Sequence, residues 1–187
     1  MSRPPRFDLA GAIHHVTARG NHRQQIYLTD IDRGRFLGRL QRTVERYEWR
    51  MHAYCLMDNH IHLLVSTPAP TLARGMQYLL SGYARAFNRE YSLQGHLFRQ
   101  HYHSTLVEQQ EHFLEAFRYI ALNPVRAGLC QRPHAWAWSS YAASVGDVPK
   151  PKFLYDKIVL AEFGSVRAIE RFVNDGLSRL PQPGRTV

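Results

Sequence analysis

The stretch RMHAYCLMDNHIHLLVST, Arg50 to Thr67, reads as two β-strands joined tightly at Asp58-Asn59, a turn-favouring pair, with Pro68 and Pro70 ending the second strand. Within that second strand Ile61, Leu63 and Val65 alternate with His60 and His62, so one face is apolar and the other carries two imidazoles. Strand residues two apart have Cα atoms about 6–7 Å from each other with side chains on one side. Two rings so placed can close on one divalent ion. Taken alone, the pair does not decide between metal ligands and two imidazoles on a half-exposed strand.

Outward from this hairpin, the chain alternates strand and helix patterns. GAIHHVTARGN, residues 11–21, is a short β-rich run closed by Gly20-Asn21. TDIDRGRFLGRLQRTVERYEW follows, with Thr29 or Asp30 as N-cap and Phe36, Leu37, Leu40, Val44 and Tyr47 at helical spacing. After the hairpin, TLARGMQYLLSGYARAFNREY carries Leu72, Met76, Leu79, Leu80, Tyr83 and Phe87 along one helical side. HLFRQHYHSTLVE, residues 96–108, reads as a further strand. EHFLEAFRYIALNPVRAGL then reads as a third helix that Asn123-Pro124 should end or kink.

The order β-α-β-β-α-β is that of the ferredoxin-like split arrangement: an α+β fold with an antiparallel sheet, two helices on one face, and the other face left for a ligand or a third helix. Residues 1–145 are expected to form this domain. Residues 146–187 are expected to be a linker, VGDVPKPKF and its surroundings, followed by a helical tail with two short helical patterns.

Composition narrows the function classes. Lys and Arg number 24 against 15 Asp and Glu, a formal charge of +9, and lysine occurs at Lys150, Lys152 and Lys157 alone. An arginine-rich surface suits a polyanionic partner, because the guanidinium fork binds phosphate bidentately and phosphate neutralisation releases counterions. The two cysteines, Cys55 and Cys130, form no disulfide framework and no Cys-x-x-Cys pair, which points to a reducing compartment. No window approaches the roughly 18 apolar residues of a membrane span, and no phosphate-binding P-loop for a nucleotide cofactor is present. A cytoplasmic, nucleoid-associated protein is expected.

In the third helix Phe113, Phe117, Ile120 and Ala121 share one side, while Glu115, Tyr119 and Asn123 lie at i, i+4 and i+8 along another. Tyr119 and Asn123 are thus stacked neighbours, although a helical tyrosine is commonly a core aromatic with its hydroxyl at the rim.

Together, YCLMDNHIHLLV, the later FRYIALNPVRAGL, the preceding HHVTARGNHRQQIYLTDIDRGRF and the following WAWSSY resemble the REP-associated tyrosine transposases. These form part of the single-tyrosine branch of the HUH endonucleases. The resemblance runs from about residue 5 to about residue 145. It implies a metal-dependent enzyme that nicks and rejoins single-stranded DNA at REP-type hairpins. His60 and His62 would hold Mg²⁺ or Mn²⁺, with Asn123 the candidate third ligand because related transposases place an amide four residues after the tyrosine. Tyr119 would be the nucleophile and form a 5′-phosphotyrosine. A free phenol has a pKa near 10, so it needs a nearby cation or base to react at neutral pH.

Candidate DNA contacts are Arg3, Arg6, Arg19, Asn21, Arg23, Arg99 and His103, with Phe98 and Tyr102 interleaved for base stacking. A monomer is favoured over a dimer, since the tail could cover the surface that mobile relatives use to exchange tyrosine helices. Two other readings fit the same residues: a non-catalytic hairpin DNA- or RNA-binding module on a ferredoxin-like sheet, and a hydrolase acting through metal-activated water.

Overall fold

A computed structural model of the chain describes residues 9–99 and 101–179. Arg3 and Arg6, two of the expected DNA contacts, lie outside the described residues. Four strands, β1 (Ala12–Arg19), β2 (Arg50–Leu56), β3 (His60–Thr67) and β4 (His103–Val107), form one antiparallel sheet in the order β2-β3-β1-β4. Six α-helices accompany them among the described residues: α1 (Asp30–Tyr47), α2 (Leu72–Glu90), α3 (Gln110–Arg126), α4 (Tyr141–Ser144), α5 (Lys157–Phe163) and α6 (Val166–Ser178). This is the expected split βαββαβ order.

Strand alternation sorts the side chains into two cores. Val16, Ala18, Tyr54, Leu56, Ile61, Leu63 and Val65 pack against Phe36, Leu40 and Val44 of α1 and Met76, Leu79 and Tyr83 of α2. From the opposite face, Ala53, Cys55 and Leu64 meet Phe113, Phe117, Ile120 and Ala121 of α3, behind which lie Val159, Ile169 and Val173 of the tail. The third helix therefore takes the second face of the sheet.

Thr29 is the N-cap of α1: the Asp32 carboxylate accepts from its backbone N–H at 2.9 Å and from that of Leu28 at 3.0 Å, closing a capping box. The same Oδ2 accepts from the Tyr91 hydroxyl at 2.7 Å, which ties the start of α1 to the end of α2.

In β2 the register slips between Met51 and Ala53. The bulge puts His52 and Ala53 on the same face, and His52 is wholly buried against Phe113 and Tyr155. The outer edge of β2 is covered by the chain itself. Leu56 N–H donates to Trp138 O at 2.9 Å, Ser140 N–H to Tyr54 O at 3.0 Å, and Tyr155 N–H to Met51 O at 2.7 Å. Such cover removes an edge on which another strand could pair.

Two expectations need correction. The strand expected over residues 96–108 is confined to His103–Val107. Leu97 and Phe98 both turn into the first core, and their backbone joins the Gly20–Gln24 turn: Asn21 N–H donates to Leu97 O at 2.8 Å, and Phe98 bridges Gly20. Two successive inward side chains cannot belong to a regular pleat. Further along, α3 runs past Asn123-Pro124 to Arg126 and is closed at Gly128, which has φ 71°. Proline costs one i→i−4 bond, and the burial of Phe117, Ile120, Ala121 and Leu122 holds the helix together around it.

Candidate active site

On the α3 face, β1 presents Ile13, His15, Thr17 and Arg19, and β3 presents His60, His62, Leu64 and Ser66. The β1–β3 ladder pairs Thr17 with His62 and Arg19 with His60, so these side chains adjoin across the strands. The rings of His60 and His62 have centroids 4.9 Å apart and stand nearly perpendicular, at 81°. Tyr119 of α3 reaches the same place: its ring centroid is 5.3 Å from that of His62 and 5.8 Å from that of His15. Tyr119 is 40% exposed, so solvent reaches it. One turn on, Asn123 is buried, so the Glu115–Tyr119–Asn123 stripe runs from solvent into the protein.

Hydrogen bonds hold the imidazoles. His60 Nδ1 lies 2.7 Å from Asn59 Oδ1. Around His62, Nδ1 lies 3.1 Å from both His15 Nε2 and Thr17 Oγ1, while Nε2 is buried with no hydrogen-bond partner. Asn123 Nδ2 is likewise buried without a partner. The orphaned ring nitrogen of His62 and, one helical turn from Tyr119, the orphaned amide of Asn123 are groups that a bound ligand could satisfy.

Electrostatics keeps these rings neutral. Burial, reinforced by the Arg19 charge, lowers His60 to about 4. His62 falls to about 2 through burial first, then His60, His15 and Arg19. His15 falls to about 4 through burial, with His112 and His103 adding to it. A neutral imidazole is the form that coordinates a metal. Among the described residues no three His, Cys, Asp or Glu side chains gather as a ligand set.

Four neighbours of this site are absent from the sequence-based assignment: His15, Thr17, Asn59 and Arg126. The Arg126 guanidinium carbon lies 4.9 Å from the Tyr119 ring centroid. Arg126 is seven residues after Tyr119, on the same helical stripe, so the helical period contained this signal. The expectation that Asn123-Pro124 ends or kinks the helix concealed it. His15 and Thr17 become neighbours of His62 only through the β1–β3 register.

The expected DNA contacts divide by position. Arg19 sits beside His60 through the ladder, and Arg99 N–H donates to Arg19 O at 2.9 Å, which brings exposed Arg99 to the same end of β1. Arg23 is exposed and has φ 61°; its carbonyl accepts from Asn59 Nδ2 at 3.2 Å. Asn21 lies in the same turn. His103 pairs with Thr17 at the start of β4 and is exposed. Arg19, Asn21, Arg23, Arg99 and His103 thus surround the histidine end of the sheet.

Just before His60, the Asp58-Asn59 turn is braced from α1. Arg33 Nη2 donates to Asp58 Oδ1 at 2.6 Å, and the guanidinium carbon lies 5.3, 5.8 and 5.7 Å from the rings of Tyr27, Trp136 and Trp138. Gly20 N–H donates to Asn59 O, and Ile26 N–H donates to Asp58 O.

Comparison with known proteins bears on the family and the fold. The family model described as "Transposase IS200 like" matches residues 9–123. A Haemophilus influenzae protein assigned by name to the REP-associated tyrosine transposases is 25% identical over 146 residues, covering 72% of this chain and 82% of its own. A solved structure of a REP-associated tyrosine transposase bound to a REP hairpin matches with a TM-score of 0.66 at 16% identity, over 81% of this chain and 89% of that one. At that identity, what is shared is the fold.

Proposed function

Because the chain belongs to the IS200-like transposase family, we propose that it is a metal-dependent DNA strand transferase that nicks and rejoins single-stranded DNA at REP-type hairpins through a 5′-phosphotyrosine on Tyr119. The observation that carries this reading is the approach of Tyr119 to His62 within one chain, ring centroids 5.3 Å apart. REP-type DNA is suggested by the Haemophilus relative and the hairpin-bound neighbour.

His60, His62 and Asn123 would hold the divalent ion; the two buried, partnerless nitrogens His62 Nε2 and Asn123 Nδ2 fit an amide that turns its oxygen, and a ring that turns its lone pair, towards it. A bound Mg²⁺ or Mn²⁺ would supply Lewis-acid withdrawal of charge from the scissile phosphate, and two imidazoles with one amide suit manganese better than magnesium. Tyr119 Oη attacks phosphorus, the bond to the 3′ oxygen breaks, and that oxygen leaves as a 3′-OH after taking up a proton. The phosphodiester energy is retained in the tyrosyl phosphate, so the 3′-OH of another end can reverse the step without a nucleotide triphosphate. Arg126 lies by the Tyr119 ring, its guanidinium carbon 4.9 Å from the ring centroid, where a cation would offset negative charge that develops on the phosphoryl group in the transition state.

Arg19, Asn21, Arg23, Arg99 and His103 would hold phosphates and unpaired bases beside the site, with Arg3 and Arg6 extending the contact. Residues 1–145 would carry the chemistry and 146–187 support it. A monomer working on the nucleoid in the cytoplasm is our reading; among the described residues no helix is long and apolar enough to cross a membrane.

The test is a labelled REP-type hairpin with a single-stranded flank, incubated with protein and Mn²⁺ or Mg²⁺ and resolved on a denaturing gel. A protein–DNA adduct that disappears with Tyr119→Phe is expected. Cleavage of equal extent by Tyr119→Phe, or a free 5′-phosphate with no adduct, would overturn it in favour of water as nucleophile.

A further inference from the structure

Two imidazoles can coordinate a metal only through a nitrogen that lacks a proton, and each neutral ring has two tautomers to choose from. Around His60 and His62 the protein determines that choice. Asn59 is held by its far end: its Nδ2 donates to the carbonyl of Arg23 at 3.2 Å, and a carbonyl can only accept. The amide oxygen is therefore the atom that faces His60 Nδ1 at 2.7 Å. Since that oxygen can only accept, His60 Nδ1 carries the proton, and Nε2 is left with its lone pair.

At His62 the logic runs through β1. Nδ1 has two neighbours at 3.1 Å, His15 Nε2 and Thr17 Oγ1, both able to accept, whereas buried Nε2 has none. A proton on Nδ1 finds two acceptors. A proton on Nε2 would be a buried donor facing nothing. Both rings thus settle in the same tautomer by different means, one through a turn amide and the other through the neighbouring strand.

We propose that Asn59 and the His15–Thr17 pair are positioning residues that fix His60 and His62 as Nδ1–H tautomers, each presenting an unprotonated Nε2 to a divalent ion. Such outer partners of metal-bound histidines orient the ring and raise its basicity, and their loss costs about 10–100-fold in metal affinity. The role rests on the reading of His60 and His62 as ligands, but the tautomers themselves are properties of the metal-free protein.

The experiment has two arms. In ¹⁵N-histidine-labelled, metal-free protein, long-range proton–nitrogen correlation spectra report which ring nitrogen is protonated; Nδ1–H is expected for His60 and His62. In the second arm Co²⁺ binding is followed by its absorption bands. His15→Leu/Thr17→Val should move the His62 proton to Nε2 and weaken Co²⁺ binding about 10–100-fold. Asn59→Leu should do the same through His60. His15→Gln and Asn59→Asp, which return an accepting oxygen, should restore most of the affinity, and this separates positioning from loss of fold. An Nε2–H tautomer in the parent, or Co²⁺ binding unchanged in the acceptor-free variants, overturns the proposal. A parent with the expected tautomers that binds neither Co²⁺ nor Mn²⁺ instead removes the metal-site reading and leaves the tautomer assignment standing.

Discussion

His52 makes the stability of this fold depend on pH in a calculable way. The ring is wholly buried where the β2 bulge pushes it between the sheet, α3 and the tail. Its Nδ1–H donates to the Tyr155 carbonyl at 3.2 Å, which leaves Nε2 to accept from the Ser66 hydroxyl at 2.9 Å. Burial, which the Tyr155 bond opposes and the Arg50 charge assists, lowers its pKa to about 4. In an unfolded chain the value is about 6.5. Between those limits the unfolded state binds a proton that the folded state refuses, so stability falls as pH drops from about 6.5 towards 4, and full stability is present above that window. The displacement is worth about 3 kcal/mol at its limit and about 2 kcal/mol at pH 5. For a chain of this size that is a fall of roughly 4–8 °C in Tm from pH 7.5 to pH 5. His15, His60 and His62 are lowered too and act in the same direction. The His52 share is therefore read as a difference: urea unfolding at pH 7.5 and pH 5, for the parent and for His52→Gln. The variant should lose about 2 kcal/mol less than the parent across that interval, whatever its absolute stability. An identical pH dependence in both proteins would refute the assignment.

Other expectations follow from packing and from where the proposed chemistry sits. Gly176 of α6 is so close to α3 that an added Cβ would lie 2.6 Å from Arg118 Cδ and 2.8 Å from Leu122 Cδ1; Gly176→Ala should destabilise by about 1–2 kcal/mol, overpacking exceeding the gain in helix propensity, as measured by denaturant unfolding. Arg33→Ala should cost about 2–3 kcal/mol, because two charged hydrogen bonds, to Asp58 and to exposed Asp30, and three ring contacts are lost, and more than Asp58→Asn, whose half-exposed side chain can turn to water. Mixing Tyr119→Phe with His60→Ala should restore no adduct formation, since Tyr119 already meets the histidines of its own chain; recovery in the mixture would show that tyrosine helices are exchanged between chains.

What could be read in the sequence had a short period. Alternation along β3 puts His60 and His62 on one face and the helical repeat of α3 stacks Tyr119 on Asn123, because each pattern lies within one element; their expected roles came from the resemblance to the transposase family. The split βαββαβ order followed from the same local signals. His15 and Thr17 escaped because their contact with His62 depends on strand register, which pairs residues over forty positions apart. Arg126 escaped because Pro124 is a local veto that the tertiary packing of α3 overrides. The length of β4 was misjudged because alternation in residues 96–108 imitates a strand, while Leu97 and Phe98 are claimed by the first core.

The brace on the histidine hairpin also imposes an order of assembly. Arg33, Asp58 and Tyr27 are made early, but two of the three rings beside Arg33 are Trp136 and Trp138, and the cover over β2 comes from residues 138–140 and 154–155. At about 5–20 residues per second, roughly 5–20 s pass between synthesis of His62 and of Tyr155. Throughout that interval the nascent hairpin has a bare outer edge and a guanidinium without its two tryptophans. A chain released before Trp138 would carry both histidines and the tyrosine yet expose an unpaired strand, the condition under which nascent sheets associate with one another. Completion of the histidine end of the molecule thus waits on residues made long after the histidines themselves.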